Sequence, residues 1–153
     1  MTVRHILVDG DPRLRTPAME VDFGRDEWKD DARDLLETLT DAKVREGFGR
    51  ALAGPQIGSP FRLIAFECSI GRFVAVNPRL TWSSPEEQEV LDDCFSFPGL
   101  RLMVKRALSV SFECLDIHGA QLSFERLSPD LSELLQHELD HLEGVLMVDR
   151  RLQ

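Results

Sequence analysis

Gln136-His137-Glu138-Leu139-Asp140-His141 lies in a stretch whose pattern is helical, and the reading of the whole chain turns on it. Ser128 can cap the free amides of a helix start, and Pro129 suits the first turn. Asp130 and Glu133 fall where the helix dipole favours negative charge. Leu131, Leu134, Leu135 and Leu142 predict a mostly buried face, and Gly144 follows where helices often end. On such a helix His137 and His141 lie about 40° apart around the axis and about 6 Å apart along it. Both imidazoles can therefore reach one metal ion. Glu138 lies roughly 60° from His141, where it can flank the ion as a proton-transferring carboxylate, the chemistry of the H-E-x-x-H pattern.

Structural zinc sites fill four positions with protein ligands, whereas catalytic sites keep one open. A third protein ligand is needed here. The later carboxylates are Glu143 and Asp149, no later His exists, and the other source is a cysteine upstream. Cys94 lies between a predicted strand and a turn at Pro98-Gly99, whereas Cys68 and Cys114 sit beside apolar strands and read as small buried hydrophobes. Taken alone, Cys94 would read the same way.

Outward from this helix, Trp28, Ala32, Leu35, Leu36, Leu39 and Ala42 recur at helical spacing and predict an amphipathic helix over 26–42, with a solvated acidic face between them. Gly47 and Gly49 break the pattern, and 51–56 reads as a turn-rich connection through Pro55, Gly58 and Pro60. Short β-like runs follow at 61–66, 73–77 and 87–91, with breaks at Pro78 and Pro85. The runs 108–116 and 120–125 flank His118-Gly119 as an antiparallel hairpin. The fold class is α+β: small, largely antiparallel sheets around a central metal-binding helix, in one domain spanning 1–153.

Composition narrows the function. A chain of 153 residues with 42% apolar content has a real core. No apolar run approaches the length of a membrane span, and residues 1–9 lack a secretory signal, so the expected location is the cytoplasm. An odd count of three cysteines agrees with free thiols or a metal ligand. A net charge of -9 opposes general nucleic-acid binding.

The sequence resembles peptide deformylases over nearly its whole length. That family carries three ordered motifs: G-x-G-L-A-A-x-Q, E-G-C-L-S, and H-E-x-D-H usually preceded by Gln. Here they read Gly49-Arg50-Ala51-Leu52-Ala53-Gly54-Pro55-Gln56, Asp92-Asp93-Cys94-Phe95-Ser96, and Gln136 to His141. The segments 11–15 and 142–146 also look like the family's flanks. The resemblance implies a metal held by Cys94, His137 and His141, with one position open for water. It implies Glu138 as the catalytic acid/base, and the Gln56 amide and Phe95 backbone N–H as donors to the developing oxyanion. The implied cofactor is one divalent ion, Fe(II) foremost, with Zn(II), Ni(II) and Co(II) also suited to the ligand set. The implied substrate is an N-formylated peptide, in the family the formyl-methionyl end of nascent chains. Ribosome association is not visible in the sequence.

The departures raise alternatives. Ala51 and Gly54 exchange the bare positions of the first motif, where the family's bound peptide runs alongside as an extra strand. Phe95 replaces Leu, and Asp92 and Asp93 replace Glu and Gly, the latter adding charge beside Cys94. Asp130 stands where the family has an apolar residue near the methionine pocket, and reads either as a pocket carboxylate or as a helix-end charge. Asp140 reads as a support for a metal ligand or as a surface carboxylate. The rival functions are an amidohydrolase acting on a non-methionine or small formylated amine, and a catalytically silent metal-binding homologue.

Overall fold

The computed structural model describes residues 2–152; Met1 and Gln153, the ends of the expected unit, lie outside the described residues. The first helix, α1, is Lys29–Glu46 and buries Ala32, Leu35, Leu39 and Ala42, as their spacing predicts. It starts later than expected because residues 26–28 form a turn: the Lys29 N–H donates to the Asp26 carbonyl, and the Trp28 indole donates to the Arg25 carbonyl at 2.9 Å. It also runs past Ala42 to Gly47, whose φ of 75° ends it. That added turn buries nothing apolar, leaves Val44 exposed and is tied by Arg45 to Asp41, so apolar periodicity could not mark it. The acidic face is not wholly solvated either. Asp34 is buried and accepts from the Thr2 backbone and the Arg4 guanidinium, both at 2.8 Å.

Seven strands follow: β1 (Ala51–Ala53), β2 (Leu63–Cys68), β3 (Gly71–Ser83), β4 (Glu87–Asp92), β5 (Leu102–Ala107), β6 (Val110–Leu115) and β7 (Gln121–Phe124). They form a five-stranded antiparallel sheet in the order β1-β2-β3-β6-β7 and a separate β4-β5 hairpin. β1 and β5 were not among the expected strands. Pro78 was expected to break β3, but the strand runs through it, with a register shift against β6 between Val76 and Arg79. Asn77 makes that bulge. It has φ 52°, and its side chain accepts from the Val21 N–H at 2.8 Å and donates to the Val21 carbonyl at 3.1 Å.

The second helix, α2, is Pro129–Leu142, capped by Ser128 accepting from the Leu131 N–H. Leu135 and Leu142 are buried against Ile64, Phe66, Val110 and Phe112 of the sheet, while Leu131 and Leu134 are only half-buried. The helix is pinned at its other side by Gln136, whose amide accepts from the Ala107 N–H at 2.8 Å and donates to the Ala107 carbonyl at 2.9 Å. α2 is therefore clamped between the five-stranded sheet and β5, and its metal-binding pattern sits between them.

The Asn77 bulge gives a test of the fold. Asn77→Ala should cost about 2–3 kcal/mol, from two lost hydrogen bonds and a positive φ without an asparagine side chain. Asn77→Gly should cost less, because only the hydrogen bonds are lost. Urea denaturation of both variants checks the order; equal losses would show that the backbone conformation carries no cost.

Candidate active site

His137 and His141 project from adjacent turns of α2 with their Nε2 atoms 3.3 Å apart, and Cys94 Sγ lies 3.4 Å from His141 Nε2. All three residues are buried, and their ligand atoms lie within 4.8 Å of one another. Cys94 comes from the loop after β4, where the Phe97 N–H donates to the Cys94 carbonyl and the Asp9 N–H to the Ser96 carbonyl. The competing carboxylates are committed elsewhere: Glu143 pairs with Arg62 at 2.6 Å, and Asp149 pairs with Arg15 and accepts from the Leu146 N–H.

These donors fit a metal ion. A tetrahedral ion at the usual ligand distances of ~2.0–2.3 Å sets its ligand atoms roughly 3.3–3.6 Å apart, which matches the His137–His141 and Cys94–His141 spacings here. His137 is also oriented for the task. Its Nδ1–H donates to Asp92 Oδ2 at 2.7 Å, leaving Nε2 free to bind. Burial disfavours charge on His137, but Asp92 and Cys94 outweigh it and hold its pKa well above the usual value. His141 is pushed the other way, by burial and by His137, and its Nδ1 is buried without a partner among the described residues.

Glu138 is buried beside this group. Its Oε1 is 3.9 Å from His137 Nε2, and its Oε2 has no hydrogen-bond partner among the described residues. Burial pushes its pKa up to about 7, against the pull of His137. Gln56 is fixed by accepting from the Ala53 N–H at 2.9 Å, and its Nε2 reaches Ser96 Oγ at 3.1 Å and Cys94 Sγ at 3.5 Å. Among the described residues the Phe95 N–H donates to no protein acceptor. The Phe95 ring stacks on Phe48 at 4.9 Å and lies over Gly49, where a Cβ would come within 2.2 Å of it. Arg50, Gln56, Cys94, Glu133, His137 and Glu138 are among the residues lining a pocket of about 270 Å³. Of the six residues expected at the site, Gln56, Cys94, Phe95, His137 and Glu138 line this cavity, and His141 lies behind it against Cys94 and His137.

Known proteins point the same way, for residues 3–153 match the polypeptide deformylase family. This chain belongs to that family. It is 36% identical over 151 residues to the peptide deformylase of Dictyoglomus thermophilum, covering 99% of this chain and 94% of that one. The peptide deformylase structure from Thermotoga maritima matches with a TM-score of 0.87 at 28% identity over 100% of both chains. The Synechococcus elongatus peptide deformylase, solved in complex with actinonin, matches with a TM-score of 0.85 at 32% identity over 97% of this chain and 78% of that one. The α+β deformylase fold is therefore established, and the chain is a hydrolase from a family of metalloenzymes.

Several deformylase positions read differently in three dimensions. Asp92, expected only as a motif departure, orients His137 and accepts from Arg106 at 2.9 Å. Asp140 is joined to it through the same guanidinium at 2.8 Å and also binds Arg150. Asp140 thus supports His137 at one remove. Arg106 itself was missed: β5 was not among the expected strands, so nothing in the sequence marked its position as inward. Asp130 does not line the pocket; it sits exposed at the rim, 2.6 Å from Arg50. Glu133, one turn further along α2, does line it, as do Asp92, Asp93 and Glu138. Asp93 is exposed at the mouth and does not occupy the positive-φ region. Gly54 does not loosen its segment, since the Phe61 carbonyl would lie 2.7 Å from a Cβ there.

Asp92 yields a direct test. Asp92→Asn should weaken divalent-ion binding by about 10- to 100-fold, the usual effect of removing a carboxylate behind a metal-bound histidine. Competition with a chromogenic chelator measures it, and unchanged affinity would show that Asp92 has no such role.

Proposed function

We propose that Cys94, His137 and His141 hold one divalent ion and that the chain removes the formyl group from the N-terminus of peptides. The observation that carries this reading is the unpartnered Glu138 oxygen, buried beside a metal-competent donor set. A buried orphan carboxylate is costly unless a reaction uses it. Fe(II) is the proposed native ion, because a thiolate with two imidazoles and an open position suits redox-active divalent ions as well as zinc. The ion, when bound, supplies a Lewis acid and a water acidic enough to be a nucleophile near neutral pH.

The protein's own groups do the rest. Glu138 takes a proton from the attacking water as its oxygen bonds to the formyl carbon. It then gives that proton to the amine nitrogen as the C–N bond breaks, releasing formate and the free peptide N-terminus. A carboxyl held near neutrality by burial suits both halves of this cycle. The Gln56 Nε2 and the Phe95 N–H donate to the formyl oxygen as it gains negative charge. Both donors are fixed before the reaction, so little reorganisation is needed.

The edge of the sheet favours a peptide over a small formylated amine. β1 is an outer strand, and the Ala53 N–H points away from β2, since it donates to Gln56. Strand alternation turns the Ala51 N–H and carbonyl the same way, and Ala51 lines the pocket. An extended substrate can therefore pair there as an added strand. Three cysteines without a disulfide, one of them the proposed metal ligand Cys94, suit a reducing compartment, so we place the activity in the cytoplasm. No helix is long and apolar enough to cross a membrane among the described residues.

Glu138→Gln should keep the shape and the bound ion yet lower kcat by at least about 100-fold. Gln56→Ala should lose a similar order, about 10²-fold or more. Formate release from a formyl-peptide, with metal content measured in parallel, checks both. Turnover within a few-fold of the parent, with the ion retained, would reject the mechanism. Activity that fades in air and is preserved by Ni(II) or Co(II) would identify iron as the native ion.

A further inference from the structure

The pocket wall beside the reacting centre carries charge that the hydrolysis does not use. Glu133 lies one helical turn before His137, and its side chain is only 16% exposed. Arg50, just before β1, reaches Glu133 Oε1 at 3.1 Å and Asp130 Oδ2 at 2.6 Å. One guanidinium thus answers two carboxylates. Among the described residues the second Glu133 oxygen accepts no hydrogen bond, and Asp93, at the same mouth, has no ion-pair partner. The local balance is negative. Burial and the nearby Asp92 raise the pKa of Glu133 against the pull of Arg50 and His137. The remaining walls are apolar: Leu91 and Leu134 line the pocket, with the Phe48–Phe95 stack at its edge. Apolar walls with an acidic end fit a long side chain that carries a positive tip on a methylene stem. They suit a methionine side chain less, because it would rest against an ion pair and give it no hydrogen bond.

We propose that the Arg50–Glu133 pair makes this pocket selective for a formylated residue with a basic side chain, of the lysine type. The inference rests on the formyl-peptide reading above and names its substrate class.

The test compares kcat/KM for formyl-Met-Ala-Ser and formyl-Lys-Ala-Ser in the metal-loaded parent, in Glu133→Gln and in the double variant Glu133→Leu with Arg50→Leu. The double change removes both charges together, so that neither is stranded. Calorimetric binding of acetyl-Met-Ala-Ser and acetyl-Lys-Ala-Ser provides a second readout. The parent should favour the lysine peptide by about tenfold or more, the scale on which an unmet polar partner discriminates. Glu133→Gln should erase most of that preference, and the double variant should reverse it. If the parent favours the methionine peptide and both variants leave the ratio unchanged, the specificity proposal is overturned while deformylation stands. If no formyl-peptide is hydrolysed but acetyl-Lys-Ala-Ser binds preferentially, the pocket assignment stands and the reaction is wrong. Absence of both hydrolysis and binding preference overturns both.

Discussion

Asp92 is buried and still ionised, with a single oxygen, Oδ2, accepting from His137 Nδ1 and from Arg106. Burial alone would raise its pKa, but the hydrogen bonds and charges of His137 and Arg106 prevail and hold it below the usual carboxylate range. That outcome fixes the site. A protonated Asp92 would offer His137 Nδ1–H only a neutral, weaker acceptor, and would hold Nε2 less firmly toward Cys94 and His141. The position of one proton on the His137 ring therefore depends on Arg106, a cation 14 residues from Asp92 along the chain.

Arg106 can serve because charge alternates through the structure: Asp92, Arg106, Asp140 and Arg150 are linked in order at 2.9, 2.8 and 3.0 Å. Each inner member faces opposite charges on both sides, which offsets the desolvation that makes a lone buried ion costly. The arrangement contributes more to geometry than to net stability, since a well-packed apolar replacement of a buried ion pair is often as stable. It also solves a problem of the fold. A two-stranded hairpin such as β4-β5 is marginal on its own, yet it must hold Asp92 and Arg106 against α2. Arg106 to Asp140, Gln136 to Ala107, and Gln88 to the Pro129 carbonyl at 2.9 Å tie it down.

The parts of this molecule that could be read from sequence are those where apolar periodicity and function agree. α2 has its cap, its buried leucines and its motif in phase, and α1 has an uninterrupted stripe. β5 does the opposite. Along Leu102–Ala107 the buried positions are Val104 and Arg106, with Lys105 exposed between Arg106 and Val104, so the inward residue that matters is charged and the alternation is hidden. β1 is three small residues, too few for any pattern. Asp130 could be read either as a pocket carboxylate or as a helix-end charge, and the structure has it exposed beside Arg50. Asp130 and Glu133 both fall on the face of α2 that leads to His137, but Asp130 lies about 10 Å up the axis from it, beyond the rim. Cys94 could be chosen over Cys68 and Cys114 only through the motif around it, because burial of a cysteine looks the same whether or not it can bind a metal.

The Phe95 change shows how a larger side chain can leave a backbone donor in place. The turn that carries its N–H is closed by the Phe97 N–H to the Cys94 carbonyl, and the next residue is held by the Asp9 N–H to the Ser96 carbonyl. Neither bond involves the ring. The ring lies instead over Gly49, whose φ of 120° and missing Cβ leave room for it, and on the face of Phe48. Gly49 is thus required twice, by its own backbone and by its neighbour's side chain. The chain tolerates the bulkier residue because its bulk and its chemistry point in different directions.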